Sequence, residues 1–205
     1  MNDGYLEILN SIASSNPTPG GGSVAALSLA HAHSLAAMVS RLTLKSDKWS
    51  DGHEIANHIL QHSDERIHYS ITLADNDATA FDAVMMAYRL PKVEDDSNSR
   101  SEAIRKATIG AALAPLDTIN AALDLMHDLL ELTRNCNANA LTDLAASAEL
   151  AHSAAKIARL NVMINTHYIN GDDVDLIEDD TKMAITECDK LVIAIGSTYT
   201  ERLGW

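Results

Sequence analysis

The chain has 205 residues, enough for one large domain or two small ones with a sizeable core. Hydrophobic residues make up 46%, which excludes a disordered chain. The formal net charge of -14 argues against nucleic acid and anionic membrane as partners, and it means that an anionic ligand needs a local basic patch. Cys136 and Cys188 are two and far apart, so neither a disulfide framework nor a zinc cluster is implied, and a reduced cytoplasmic setting is expected. The opening MNDGYLEIL has no basic region leading into an apolar run and does not read as a secretory signal.

Alternating strand patterns are absent, and apolar residues recur at three- and four-residue spacing almost throughout. Tyr5, Leu6, Leu9, Ile12 and Ala13 predict a short amphipathic helix. The stretch NPTPGGGS then interrupts the pattern. Pro17 and Pro19 exclude a continuing helix, and Gly20, Gly21 and Gly22 permit left-handed backbone or close approach by another group. Ser23 reads as the N-cap of a second helix reaching about Leu44. This helix is apolar nearly all round and rich in alanine, so it is expected at the centre. Its apolar run, 24–39, is short and carries His31 and His33, which suits a core helix better than a membrane span.

Lys45–Gly52 reads as a polar loop. A third helix of roughly 35 residues, from about Ile55 to Tyr88, is ended by Pro91. Val93–Ser101 is charged and loop-like. A fourth helix follows from about Glu102 to Thr133, with Pro115 as an expected kink. The asparagine-rich connection Arg134–Leu141 leads to a fifth helix, about Thr142 to Tyr168, and a sixth starts near Val174. Six helices with short loops and no repeat or linker predict an all-α antiparallel bundle in one domain, residues 1–205. Helices this long and alanine-rich often complete their core in a dimer.

Three features bear on chemistry. The glycine run before the second helix offers free backbone amides at a helix N-terminus, a place for an anion or a polar heterocycle; the plainer reading is a stiff entry turn. Asp77 has Leu73, Ala74, Ala80 and Phe81 as its helical neighbours. A carboxylate among apolar groups tends toward a raised pKa, which suits proton transfer. Asp82 has similar neighbours, so pattern alone does not choose between them. Asn161 and Asn165 fall one turn apart inside an apolar helix, where buried amides must bond to backbone or to a ligand.

Other residues have strong structural explanations. Arg89 and Lys92 can anchor an anion or a carbonyl oxygen, or simply offset a helix C-terminal dipole. Arg41, with Lys45 and Lys48, forms a second basic cluster. Asn135, Asn137, Asn139 and Asp143 suit turns and caps. His58 and His62 sit four apart but have no evident third ligand, so no metal is expected. The acidic residues from Asp172 to Asp180 favour the start of the last helix rather than a calcium loop.

Five blocks, in order, resemble one family: PTPGGGS (Pro17–Ser23), MVSRLT (Met38–Thr43), DATAFDAVMMAYRLPK (Asp77–Lys92), NANALTD (Asn137–Asp143) and NVMIN (Asn161–Asn165). The family comprises methenyltetrahydrofolate cyclohydrolases and the cyclodeaminase domain of formimidoyltransferase-cyclodeaminase. The resemblance implies an all-helical, usually dimeric domain acting on a one-carbon unit carried by tetrahydrofolate. By position it makes Asp77 and Lys92 the leading catalytic residues and Asp143 a further polar wall. Pro19, Gly20, Gly21, Gly22, Ser23, Arg41, Arg89, Asn137, Asn161 and Asn165 are then expected around the substrate. Folate enters as substrate rather than cofactor, and no nucleic acid or membrane partner is expected. Cyclohydrolase is the favoured activity, because no transferase domain is fused in this sequence. The alternatives are an ammonia-releasing cyclodeaminase and a non-catalytic folate-binding dimer.

Overall fold

The structure is a computed structural model that describes residues 4–92 and 97–205. Its elements are α-helical: α1 Tyr5–Ile12, α2 Gly21–Leu44, α3 His53–Arg89, α4 Ser97–Asn135, α5 Leu141–Thr166 and α6 Asp172–Leu203. The all-helical bundle is thus as the apolar spacing predicts.

Lys45–Gly52 is not simply a loop. A 3₁₀ segment, Asp47–Gly52, fills most of it, started by Ser46, whose side chain accepts from the Lys48 amide. The fourth helix begins at Ser97, earlier than the charged pattern suggests. Of the expected loop Val93–Ser101, residues 93–96 lie outside the described residues. Pro115 sits inside α4, which continues through it to Asn135. A second 3₁₀ turn, Ala138–Ala140, occupies the asparagine-rich connection.

Cross-helix hydrogen bonds fix how the helices run. Ser23 Oγ donates to the Ala74 carbonyl, Ser147 Oγ to Ala32 and Asn165 Nδ2 to Ala111. With His53 beside Thr43, Asn161 beside Gly21 and only a short turn between α4 and α5, these bonds make α2 antiparallel to α3 and to α5, and α4 antiparallel to α5. The 2.7 Å bond from Ser147 to the Ala32 carbonyl requires two helix backbones in close approach. The alanines of α2 permit it: Ala25, Ala26, Ala32 and Ala36 are fully buried. They join Leu29, Leu73, Ile119, Leu125, Leu129, Leu144 and Ile195 in one cluster that spans α2 to α6. Each of those larger side chains contributes roughly 2 kcal/mol by leaving water.

One polar group crosses this core. His33, halfway along α2, is buried near the ion pair between Arg66 of α3 and Asp128 of α4. Burial, and then the Arg66 charge, lower its pKa to about 4, with Asp128 partly opposing them. His58 approaches the same Asp128 at 3.6 Å.

Two helices, Gly21–Leu44 and Asn98–Asn135, are long and apolar enough to cross a bilayer. In the bundle 61% and 56% of their most apolar windows are buried, as befits core helices.

The two ends of α2 differ. At its C-terminal end Thr43, the 3₁₀ segment, the α4 terminus and the start of α5 converge. Arg202 of α6 closes this corner by donating to the carbonyls of Thr133 and Cys136, at 2.5 and 2.7 Å, and its guanidinium lies 6.0 Å from the Trp49 ring centre. Both cysteines are free and buried. At the other end α3 passes the α2 terminus at Asp77 and runs on unbroken to Arg89, about 18 Å further. This overhang exposes Phe81, Met85, Met86 (66%) and Tyr88 (55%).

Candidate active site

The glycine turn and α3 meet at Asp77. Helix α2 begins one turn earlier than expected: its N-cap is Gly20, so Ser23 lies inside the first turn. Ser23 is therefore not the cap. It is buried, and its hydroxyl donates to the Ala74 carbonyl at 3.0 Å and lies 3.3 Å from Asp77 Oδ2. The Ser23 backbone N–H also favours the charged form of Asp77. A carboxylate from α3 thus occupies part of the amide bed at the head of α2, where the helix dipole favours negative charge.

The glycines serve close approach rather than left-handed backbone. None of Gly20, Gly21 or Gly22 has a positive φ. A Cβ on Gly22, however, would lie 2.0 Å from Asp77 Oδ1 and 2.5 Å from Cγ. Only glycine lets the carboxylate lie flat on this backbone. A Cβ on Gly21 would stand 3.9 Å from Asn161 Nδ2, which brings α5 to the same turn. The Thr18–Pro19 peptide before the turn is cis.

Burial pushes the Asp77 carboxyl above the usual aspartate range, and the hydrogen bonds from Ser23 oppose but do not cancel this. Asp82, which local pattern does not separate from Asp77, is exposed. The distinction comes from α2, which covers one of these positions and not the other.

The faces bearing Asp77 and Asn161 lead to a cleft. Val84 follows Asp77 by two turns and Asn165 follows Asn161 by one; both line a cleft of about 450 Å³ with Tyr88, Arg105, Thr108 and Tyr168. Arg105 is held there by both carboxylate oxygens of Asp173, at 2.9 and 2.6 Å. Asn165 Nδ2 bonds to the Ala111 and Asn161 carbonyls, and Asn161 Nδ2 to that of Ile157, so both amide nitrogens are engaged with backbone. Sequence spacing marks Tyr88 and Tyr168 only as helix positions and misses their place in the cleft. An exposed aromatic near the C-terminal end of α3 and another just past α5 are the signal that points to it.

Within one chain the structure brings together Pro19–Ser23, Asp77, Asn161 and, through it, Asn165. It does not bring the other named residues to them. Lys92 and Arg89 stand exposed at the far tip of the α3 overhang. Arg41 lies in the last turn of α2, about 27 Å along the axis from Ser23. Asp143 is in the first turn of α5, a similar distance from Asn161. Asn137 belongs to that same distant corner: its amide N–H donates to Thr43 Oγ1, its Nδ2 to the Leu42 carbonyl, and its Oδ1 accepts from the Asn139 amide. Asn137 therefore caps α2 and its own turn. Lys92 does not join Asp77 inside one chain, because α3 stays helical from Asp77 to Arg89 and carries the chain away from the glycine turn.

His58 and His62 face each other edge to face at 5.6 Å, but their acidic partners differ, Asp128 and Glu65 respectively. Among the described residues no three histidine, cysteine or acidic side chains gather as a metal site.

Comparison with known proteins places this geometry in context. Residues 5–182 match the family described as formiminotransferase-cyclodeaminase. The chain is 34% identical over 167 residues to the methenyltetrahydrofolate cyclohydrolase of Methylorubrum extorquens, covering 80% of this chain and 79% of that one. It is 28% identical over 155 residues to the formimidoyltransferase-cyclodeaminase of Rattus norvegicus, where the match spans 75% of this chain but 29% of that protein's length. The crystal structure of formiminotetrahydrofolate cyclodeaminase from Thermotoga maritima superposes with a TM-score of 0.88, covering 98% of this chain and 96% of that one at 26% identity. With most of its length matched by the profile and a relative of this similarity, the chain belongs to the formiminotransferase-cyclodeaminase family.

Proposed function

We propose that this protein is a methenyltetrahydrofolate cyclohydrolase, converting 5,10-methenyltetrahydrofolate and water to 10-formyltetrahydrofolate. The observation that carries the reading is Asp77: a half-buried carboxyl with a raised pKa, set against the glycine turn two helical turns before Val84, where α3 enters the cleft it shares with α4 and α5. The similarity to the Methylorubrum extorquens cyclohydrolase along most of both chains supports the choice of activity.

The chemistry follows from the substrate's charge. Methenyltetrahydrofolate carries a cation delocalised over N5, C11 and N10, which a nearby carboxylate stabilises. The oxygen lone pair of water bonds to C11, the C–N π pair moves onto nitrogen, and the water proton passes to Asp77. The tetrahedral adduct then opens: the C11 hydroxyl gives up its proton to solvent as the C=O bond forms, the N5–C11 bond breaks with its electron pair taking a proton at N5, and the formyl group stays on N10. Burial favours the protonated carboxyl, so Asp77 is suited to take up this proton and to return it to N5. The folate is the substrate, and the steps use water and this side chain without a separate cofactor. Tyr88 and Tyr168 provide apolar faces for the pterin or the aminobenzoyl ring.

The alternative is formimidoyltetrahydrofolate cyclodeaminase, favoured by the fold-wide similarity to the Thermotoga maritima enzyme. There N10 attacks the formimidoyl carbon and ammonia leaves, so the same carboxyl is needed as an acid. A cytoplasmic homodimer is part of the proposal. Support for a second copy comes from the exposed apolar residues of the α3 overhang and from Leu160 (63%) and Ile164 (61%) on α5. In such an assembly Lys92 and Arg89 are free to reach a neighbouring chain's cleft.

The test is a paired assay that follows near-ultraviolet loss of methenyltetrahydrofolate and ammonia release from formimidoyltetrahydrofolate. Turnover of the first and not the second is expected. Asp77→Asn should lower kcat by about 1,000-fold with helicity unchanged. Parental turnover in Asp77→Asn would remove Asp77 from the chemistry.

A further inference from the structure

The hydroxyl of Ser23 is buried at 1% exposure and has two acceptors for its one proton: the Ala74 carbonyl at 3.0 Å and Asp77 Oδ2 at 3.3 Å. A serine hydroxyl donates once and accepts twice. The Ala74 carbonyl already serves its own helix, and its second lone pair can take Ser23 without loss. Gly22 backbone lies against one face of the Asp77 carboxylate and the Ser23 hydroxyl stands beside Oδ2, so the carboxyl rests where a rotation of that hydroxyl can serve it.

We propose that Ser23 is a positioning residue for Asp77, a two-position hydroxyl that follows the proton on the carboxyl. With Asp77 ionised, Ser23 O–H points at Oδ2. When Asp77 gains a proton, Ser23 turns its own proton to the Ala74 carbonyl and presents a lone pair to the new Oδ–H. No proton is transferred to or from serine; one rotation about its C–O bond exchanges donor for acceptor. The carboxyl thereby stays hydrogen-bonded in both states, which a group acting first as base and then as acid requires. A backbone amide could not do this, since it only donates. Among the described residues no charged side chain takes part: the groups acting on Asp77 are the Ser23 hydroxyl and the Ser23 amide, against burial.

This inference rests on the catalytic role proposed for Asp77, and the experiment separates the two. The full chain, labelled with carboxyl-13C aspartate, is titrated by NMR, with Asp77→Asn identifying the Asp77 signal. In Ser23→Ala the Asp77 signal should titrate at higher pH than in the parent, because the ionised form loses a donor. The acid limb of kcat should move the same way, kcat should fall about tenfold, and KM should change less than twofold. Ser23→Thr, which keeps the hydroxyl, should titrate like the parent. An unmoved Asp77 signal in Ser23→Ala overturns the proposal, as does a raised KM with kcat and midpoint unchanged, which would mean that Ser23 touches substrate instead. If Ser23→Thr titrates like Ser23→Ala, the hydroxyl is not the agent and the proposal also fails. Absence of turnover in the parent would sink the enzymatic reading, while the titration still decides the role of Ser23.

Discussion

At the N-terminal end of α2 a carboxylate from α3 lies against bare glycine backbone, half-buried and with its charged form disfavoured. At the C-terminal end most polar groups are matched, the buried Ser40 hydroxyl being an exception. Asn137 answers the Leu42 carbonyl and Thr43 hydroxyl, His53 Nε2 stands 3.2 Å from the Thr43 and Ser46 carbonyls, and Arg202 answers those of Thr133 and Cys136. Both ends use tight glycine contacts: Gly22 on Asp77, and Gly52 on the Asn135 carbonyl, which a Cβ would meet at 2.6 Å. The difference lies in what the glycine admits. At one end it admits a titratable side chain that stability does not want charged; at the other it admits backbone. Perturbed groups of the first kind gather where chemistry is done, and matched groups of the second kind hold a fold together.

That contrast can be broken by exchanging methyl groups. Gly22→Ala has the largest expected effect. Its Cβ displaces the carboxylate, and a shift of about 1 Å should lower kcat/KM by about 100-fold, while the urea midpoint stays close to the parent's. Gly52→Ala should do the reverse. Its Cβ meets backbone that cannot rotate away, so stability should fall by about 2 kcal/mol in urea titration, with kcat per folded molecule unchanged. Loss of turnover in folded Gly52→Ala would show that the two ends are not separable.

A smaller effect tests the sign. The folded-state pKa of Asp77 is raised by burial, so folding takes up a proton between the unfolded and folded values. The stability due to this group is present at low pH and lost as pH rises through that window. The amide in Asp77→Asn does not titrate. The thermal midpoint of that variant minus that of the parent should therefore increase from about pH 3 to about pH 7; a decrease would mean that the carboxylate is held for the fold's sake.

The sequence carried the long helices plainly. Three- and four-residue spacing spans α3, Pro91 stops it, and the apolar all-round pattern of α2 puts that helix at the centre. The glycine turn was also legible as special, though its purpose was not: a left-handed turn and a close contact ask for the same residue. What separates Asp77 from Asp82 is contact with Ser23, 54 residues away, and no local pattern encodes that. The same holds for Asn137, whose partners lie 94 and 95 residues back, and for the His33, Arg66 and Asp128 group drawn from three helices. Short polar runs misled in the other direction. Ser97 and its neighbours look like loop residues, yet they begin α4, because serine and asparagine are as suited to a helix start as to a turn.

The clasp made by Arg202 has a consequence for synthesis. The carbonyls it closes belong to Thr133 and Cys136, 69 and 66 residues before it, and the ring it approaches is that of Trp49. The corner that supports the distant end of α2 therefore waits for α6 to leave the ribosome. Until then α1 to α5 can associate while that corner stays open. The glycine turn draws on α2, α3 and, through Asn161, α5, all of which leave the ribosome before the clasp that steadies the opposite end of the same helix.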